Sequence, residues 1–413
     1  MKTILYTIIM LLLPGCGAVD KNEPVVEDSL LYYPTTPVEL NQKEFRYYYT
    51  RAKEHFDNTL LSRNFNGGLL IAKNGAIVFE KYSGLADLRK SDSVSANTSL
   101  HIASVSKTFT AMAVLRLMES GMLSLNDTLG KFFPAFPYAG ITVKMLLCHR
   151  SGLPNYLNYL SELKQNDTCY SNIDVLNSLY TLLPKVDCRP GTRFCYSNTN
   201  FVLLALIIEK VTGESYPAYM KRALFTPLQM NNSFVYTSAD STAAPSFDGY
   251  GGYWKPDPFD CTYGDKNIYS TPRDLLKWDQ ALYSNQLLKK ETLDSAFTPL
   301  SNERPSVHNY GLGWRMLNLP NGKKVLYHNG RWHGTNASFV RLIDEKATIV
   351  IIGNKFNRNI YTAAKEAYDI FGEYFSKDSS NKTDEIDSAE GGSFAEKNTP
   401  PPLSPKNSLK TKR

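Results

Sequence analysis

The sequence predicts an α/β (α+β) protein in which an antiparallel sheet, built from N- and C-terminal strands and flanked by helices, carries a mostly helical inserted subdomain. Three features point to it. "GGLLIAKNGAIVFEKYSG", Gly67 to Gly84, is two apolar-rich runs joined at Asn74-Gly75, a dipeptide that accepts the positive φ angles of a type I′ turn and so marks a hairpin. From Tyr310 to Asn354 come the runs "YGLGWRML", "KKVLYHNG", "ASFVRLI" and "ATIVIIGN", with turns expected at Asn321-Gly322 and Asp344-Glu345, which read as an antiparallel meander. Between the two strand blocks lies a long helix-and-loop region, so the sheet is expected to form from both ends of the chain.

Taken in order, the chain opens with Lys2, an apolar run from Ile4 to Leu13, and then Pro14-Gly15-Cys16. That run is about half the ~20 residues that a membrane-spanning helix needs, so residues 1–15 are expected to be a signal peptide. "LPGC" resembles the bacterial lipoprotein signal, which implies cleavage before Cys16 and lipidation of its thiol. Several acyl chains on one residue anchor stably where a single chain would not. Residues 16–45 are polar and proline-punctuated, as a tether would be. The folded body is expected over 46–375, with the helical insertion at about 122–260. In it, "KTFTAMAVLRLMESG" is helix-favouring, apolar nearly all round and closed by Gly121, so it should be a buried helix with a glycine cap. "NFVLLALIIEKVTGESYPAYMKRALF" (Asn200 to Phe225) reads as helical, and "IYTAAKEAYDIFGEYF" as a helix packing on the sheet. Residues 376–413 are charged, Ser/Gly/Pro-rich and nearly free of apolar residues, which predicts a disordered tail.

A formal charge of +6 over 413 residues, with no Lys/Arg stripe, gives no nucleic-acid footprint. No Cys-x-x-Cys, His-x-x-x-His or Gly-x-Ser-x-Gly pattern is present, so no metal, cofactor or α/β-hydrolase elbow is expected. With Cys16 set aside, five of the six cysteines remain, an odd number that forbids complete internal pairing. Cys169 with Cys188 is the expected disulfide, because both fall in a loop-rich segment of an exported chain.

Ser-x-x-Lys occurs three times, as Ser104/Lys107, Ser161/Lys164 and Ser379/Lys382. Only Ser104 stands at the start of the buried apolar helix. Residues three apart share a helix face, so the Lys107 amine should lie beside the Ser104 hydroxyl, where burial and the helix dipole favour a neutral, basic lysine. Ser161/Lys164 lies in a polar segment, and Ser379/Lys382 in the tail.

Further motifs stand in order along the chain. Tyr196-Ser197-Asn198 falls inside "PGTRFCYSNTNFVLLALIIEKVTG", His328-Asn329-Gly330 ends "KKVLYHNG", and "VKMLLCHRSGLPNY" and "IYSTPRDLLKWDQAL" flank them. Tyr283-Ser284-Asn285 and Tyr156-Leu157-Asn158 repeat the tripeptide, but the first follows the helix-like "DLLKWDQAL" and reads as a helix end, and the second lacks the Pro-Gly approach and the apolar helix behind it. Together with Ser104-x-x-Lys107 these motifs resemble the serine β-lactamase and penicillin-binding-protein superfamily, in its class C-like serine hydrolase branch, from about Asn66 to Gly372. The resemblance implies a β-lactamase/transpeptidase-like fold and an acyl-enzyme at Ser104, with Lys107 and Tyr196 as a coupled base. It implies Asn198 as a holder of the lysine and of the substrate amide, an oxyanion hole from the N–H groups of Ser104 and Arg331, and close substrate approach at Gly330. His328 stands where the family usually has lysine. It is expected to donate to a substrate carboxylate or to Tyr196, and its neutrality at pH 7 points to esters or D-amino-acid peptides rather than β-lactams. His149 is expected to make a loop hydrogen bond and His333 to occupy a rim or turn position.

The function expected is an exported, lipid-anchored serine hydrolase of the bacterial cell envelope, periplasmic or outer-membrane-associated. Its partners would be a small-molecule or peptide substrate and, through the lipid, a membrane. A β-lactamase or D-alanyl-D-alanine carboxypeptidase is the alternative reading, and a non-catalytic penicillin-binding-like sensor the second.

Overall fold

The computed structural model describes residues 37–161, 169–237, 240 and 243–375. The expected signal peptide, Cys16, most of the tether and the 376–413 tail lie outside the described residues. The folded body begins ahead of residue 46. Helix α1 (Gln42–Thr59) starts at a capping box in which the Asn41 side chain accepts from the Glu44 N–H and the Glu44 carboxylate accepts from the Asn41 N–H. The Val38 N–H also donates to the Asn74 carbonyl at 3.0 Å, so the end of the expected tether is already tied to the sheet.

Strands β1 (Gly67–Lys73) and β2 (Ala76–Ser83) form the expected hairpin, with φ of +53° at Asn74 and +78° at Gly75. Strands β3 (Leu100–His101), β4 (Phe234–Val235) and β5 (Ile268–Ser270) make a small sheet in the order β3-β5-β4. The C-terminal block supplies β6 (His308–Tyr310), β7 (Arg315–Asn318), β8 (Lys324–Trp332), β9 (Thr335–Leu342) and β10 (Ala347–Gly353). The main sheet has seven antiparallel strands in the order β2-β1-β10-β9-β8-β7-β6. The first strand pairs with the last along its whole length, Gly67 opposite Gly353 through Lys73 opposite Ala347, so both ends of the chain do close one sheet.

Both faces of this sheet are covered, which is why β1 and β10 read as unbroken apolar runs rather than alternating ones. Leu69, Ile71, Ile349 and Ile351 pack with Phe56 of α1 and with Ile360 and Ala363 of the Asn359–Glu366 helix. Their neighbours Leu70, Ala72, Val350 and Ile352 pack into the larger core with helix α2 (Ser106–Glu119). α2 is buried at every position from Ser106 to Leu115. It ends as its sequence predicts, with Gly121 at φ +76°, its N–H on the Met118 carbonyl and the Met122 N–H on that of Leu117. Phe109 anchors α2 by stacking on Trp278 of the Pro272–Ala281 helix, ring centroids 4.2 Å apart.

The Asn200–Phe225 stretch is helical in pieces: Gly213, at φ +72°, ends the Thr199–Thr212 helix, and Ser215 caps a second, Tyr216–Met220. Further helices cover Pro272–Ala281 and Lys290–Ala296. One expectation needs correction. The disulfides are Cys169–Cys261 and Cys188–Cys195, not Cys169–Cys188, and Cys148 is free and buried. The reason is long-range folding. The 258–261 segment returns to Cys169, with the Tyr170 N–H on the Pro258 carbonyl at 2.7 Å and the Tyr170 ring stacked on Phe259. That leaves Cys188 to close the loop leading into Tyr196.

Candidate active site

Ser104 lies on a single 3-10 turn, Ala103–Val105, between β3 and α2. The turn begins with Ala103 at φ +47°, a left-handed conformation that non-glycine residues seldom adopt without support from their surroundings. That support is present. The Ile102 N–H donates to the Ile268 carbonyl of β5 at 3.0 Å, and the Ala103 N–H donates to His101 Nδ1 at 3.1 Å. His101 Nε2 in turn meets the Asn267 side-chain oxygen at 2.9 Å, and burial pushes the imidazole down to about 4, so it is neutral. Strand β8 then presses on the turn: a Cβ at Gly330 would lie 2.3 Å from the Ile102 carbonyl oxygen and 3.1 Å from Ser104 N. Only glycine fits there.

Lys107, in the first turn of α2, has no solvent exposure. Its Nζ lies 3.0 Å from Ser104 Oγ, 2.8 Å from Asn198 Oδ1 and 2.7 Å from the Asp265 main-chain carbonyl, all neutral oxygens. The Tyr196 hydroxyl approaches the same Ser104 Oγ at 3.2 Å. Asn198, just ahead of the Thr199–Thr212 helix, is buried with them. Asp265 turns its carboxylate away: Oδ2 accepts from the Tyr156 hydroxyl at 2.9 Å, and Lys266 Nζ lies 3.6 Å from Oδ2 and 2.6 Å from that hydroxyl. The structure therefore brings Ser104, Lys107, Tyr196 and Asn198 together, with Gly330 pressed against the serine turn. Arg331 follows it on β8, opposite Asn336, its guanidinium over the Phe356 ring.

His328 departs from expectation. It is fully buried, its Nδ1 on the Asn329 carbonyl at 2.7 Å and its Nε2 facing the Tyr310 hydroxyl at 3.3 Å. Nδ1 must carry the ring proton to bond a carbonyl, so Nε2 has none to offer Tyr196 or a substrate carboxylate. Burial first, then the charges of Arg315 and Lys107, hold this histidine well below its ordinary value and neutral. A permanent cation comes instead from the neighbouring strand: the Arg315 guanidinium of β7 lies 5.4 Å from the centre of the Tyr196 ring.

The other lookalikes fall away from the site. Ser161 Oγ donates to the Asn158 carbonyl on an exposed turn, and Lys164, Ser379 and Lys382 lie outside the described residues. Tyr156 is the phenol behind Asp265, and Asn285, at φ +56°, lies in the bend after the Pro272–Ala281 helix. His333 stands at the β8–β9 turn with φ +52°. Among the described residues, Asp257, Asp260 and His333 bring possible metal-ligand atoms within 4.8 Å of one another. Asp260 is already engaged there: Oδ1 meets Trp332 Nε1 at 2.7 Å and His333 Nε2 at 2.8 Å, and Oδ2 accepts the Asp257 N–H at 2.8 Å. A cavity of about 790 Å³ is lined in part by His101, Trp254, Asp260, Trp332 and His333, and Ser104, Lys107 and Tyr196 do not line it. Sequence reasoning missed Asp265, Arg315 and Tyr310. A main-chain carbonyl carries no residue-type signal, and an arginine in a strand reads as ordinary surface.

A serine between a buried lysine and a tyrosine, at the head of a buried helix and beside an antiparallel sheet, defines a serine hydrolase that works through an acyl-enzyme. The chain belongs to the Beta-lactamase family, whose model matches residues 54–370. It is 32% identical over 317 residues to penicillin-binding protein 4* of Bacillus subtilis, covering 73% of this chain and 70% of that one. To the putative penicillin-binding protein PbpX of the same organism it is 28% identical over 307 residues, covering 71% and 74%. A penicillin binding protein from Bacillus halodurans superposes with a TM-score of 0.68 at 23% identity, over 78% of this chain and 99% of that one. A D-amino acid amidase from Ochrobactrum anthropi does so with 0.66 at 24%, over 78% and 97%. These two structures share the fold.

The site's histidines carry a pH signature. His101, His149 and His328 are all buried, and burial lowers each of them. They stay neutral in the folded chain but take up protons on unfolding below about pH 6.5. Their contribution to stability is complete above that pH and is lost as pH falls toward the folded-state values, by up to about 1.4 kcal/mol per histidine per unit. Urea melts between pH 7.5 and 5 should show a midpoint that falls steadily below about pH 6.5; a constant midpoint would contradict neutral burial.

Proposed function

We propose that this chain is an exported, lipid-anchored serine hydrolase that forms an acyl-enzyme on Ser104 with esters or D-amino-acid peptides. The observation that carries the reading is the approach of Lys107 Nζ and the Tyr196 hydroxyl to Ser104 Oγ, at 3.0 Å and 3.2 Å. Ser104 Oγ attacks the carbonyl carbon while its proton passes to the Lys107/Tyr196 pair. The N–H groups of Ser104 and Arg331 receive the oxyanion, and the pair returns the proton to the departing alkoxide or amine. Water then repeats the sequence to release the acid. Asn198 keeps Lys107 in place and presents its amide to the substrate. The enclosed, uncharged His328 supports ester substrates, which need no partner for a carboxylate. The D-peptide half of the reading draws on the fold shared with a D-amino acid amidase.

Arg315 favours a second reading, a D-alanyl-D-alanine carboxypeptidase, since its fixed charge beside Tyr196 suits a substrate ending in a carboxylate. The export part rests on the Ile4–Leu13 run and Cys16. In a bacterial host, Cys16→Ser should move the protein from the membrane fraction to the soluble envelope fraction; unchanged fractionation would remove the lipid anchor from the proposal.

A fluorophosphonate probe should label Ser104 alone, seen by peptide mass spectrometry, and Ser104→Ala should abolish labelling. With the same protein, kcat/KM for a p-nitrophenyl ester should exceed that for a chromogenic cephalosporin at least about a hundredfold, roughly 2.7 kcal/mol of transition-state binding. A cephalosporin turned over better than the ester would overturn the ester preference. Lys107→Ala and Tyr196→Phe should each lower kcat about a hundredfold or more. Their double variant should lose far less than the product of the two, because both act on one proton.

A further inference from the structure

Tyr196 belongs to neither a helix nor a strand, so regular backbone does not orient its ring. One residue holds the chain on both sides of it and lies against its ring. His149, in the loop after the short Val143–Leu147 helix, accepts the Cys195 N–H at its carbonyl (2.7 Å) and the Ser197 N–H at its Nδ1 (3.2 Å). These are the residues on either side of Tyr196. Between the two bonds, the imidazole lies against the Tyr196 ring, centroids 4.2 Å apart and planes inclined by 30°. His149 is fully buried and held at φ +52°, a strained conformation for which its surroundings must compensate.

The tautomer follows from the same contacts. Nδ1 meets a second donor, the Asn200 amide nitrogen at 3.2 Å, and that amide is oriented by the Ser151 hydroxyl donating to its oxygen at 2.6 Å. Two donors on Nδ1 leave the ring proton on Nε2. Nε2 is buried with no hydrogen-bond partner among the described residues, and the Tyr310 ring lies edge-on at 4.9 Å. Phe194 of the same loop and Phe201 of the Thr199–Thr212 helix close the remaining sides. Burial first, then Lys107 on α2, His328 on β8 and Arg315 on β7, keep the imidazole uncharged, and the titratable phenols of Tyr196 and Tyr310 pack against it.

We propose that His149 is the positioning residue for Tyr196, a clamp that fixes the phenol at hydrogen-bond distance from Ser104 by holding the chain on both sides of it and the face of its ring. The proposal rests on the acyl-enzyme reading, in which the Tyr196 hydroxyl shares the proton of Ser104. A neutral clamp adds no charge of its own beside the phenol, whose ring centre lies 5.2 Å from Lys107 Nζ and 5.4 Å from the Arg315 guanidinium. A shift of about 1 Å in such a group costs up to roughly a hundredfold in rate.

The test is a cycle with Tyr196→Phe, read on a p-nitrophenyl ester. His149→Asn tolerates the left-handed backbone but removes the ring. It should lower kcat about 10- to 100-fold with KM within about twofold, and should cost less than about twofold more when Tyr196 is already Phe. A residue that only supports the fold would cost the same in both backgrounds, and that result overturns the proposal, as does full activity of the folded single variant. Should His149→Asn fail to fold, nitrogen-15 NMR of the wild-type imidazoles decides instead. An Nε2–H tautomer with no titration between pH 8 and 5 upholds the clamp, whereas an Nδ1–H tautomer or protonation in that range removes it. A wild-type chain that neither labels at Ser104 nor turns over ester would strike the acyl-enzyme reading, while the NMR result would still judge His149 on its own.

Discussion

The contact on which the site depends is that between β8 and the turn carrying Ser104. At Gly330 the strand runs so close to Ile102 and Ser104 that no side chain can stand between them. This closeness joins the sheet, whose order is set by pairing the two ends of the chain, to the head of the buried helix. Ala103 adopts its left-handed angle at the same place, stabilised by the bonds that the Ile102 and Ala103 N–H groups donate to the Ile268 carbonyl and to His101. A serine at such a corner has its hydroxyl aimed before any substrate arrives, so little reorganisation is left for the reaction itself.

Burying Lys107 has a cost, because an ammonium or amine removed from water must find partners. Three oxygens meet it, from Ser104, Asn198 and the Asp265 carbonyl. Asp265 is divided between two tasks: its main chain holds Lys107 and its carboxylate lies with Tyr156 and Lys266 on the far side. A carboxylate turned toward Lys107 would have fixed it as an ammonium; a carbonyl at that position satisfies the nitrogen without that bias. The two histidines near Tyr196 are neutral for a related reason: each is enclosed and lies in the field of Lys107 and Arg315.

Much of the frame was legible. Asn74-Gly75 set a hairpin, Gly121 closed the central helix, and the three-residue step from Ser104 to Lys107 put hydroxyl and amine together. These features depend on neighbours within a turn or two, where backbone preferences and helix geometry act directly. The apolar runs of β1 and β10 were legible as strands too, since two covered faces leave an unbroken signature.

Less local features were not. The cysteine pairing followed the return of the 258–261 segment to Cys169, and proximity in sequence misjudged it. His328 was placed on the correct strand, yet its partners proved to be Asn329 and Tyr310, because the fate of a buried nitrogen is set by what other strands bring to it. Arg315, the Asp265 carbonyl and the clasp of His149 on Tyr196 depend on elements far apart in the chain. By itself, then, the sequence determined the elements and the residues able to do the chemistry, because turns, caps and helix faces are local. Tertiary packing alone decided which charges, carbonyls and rings surround them, because those distances depend on how the strand pairing and the cores bring separate segments together.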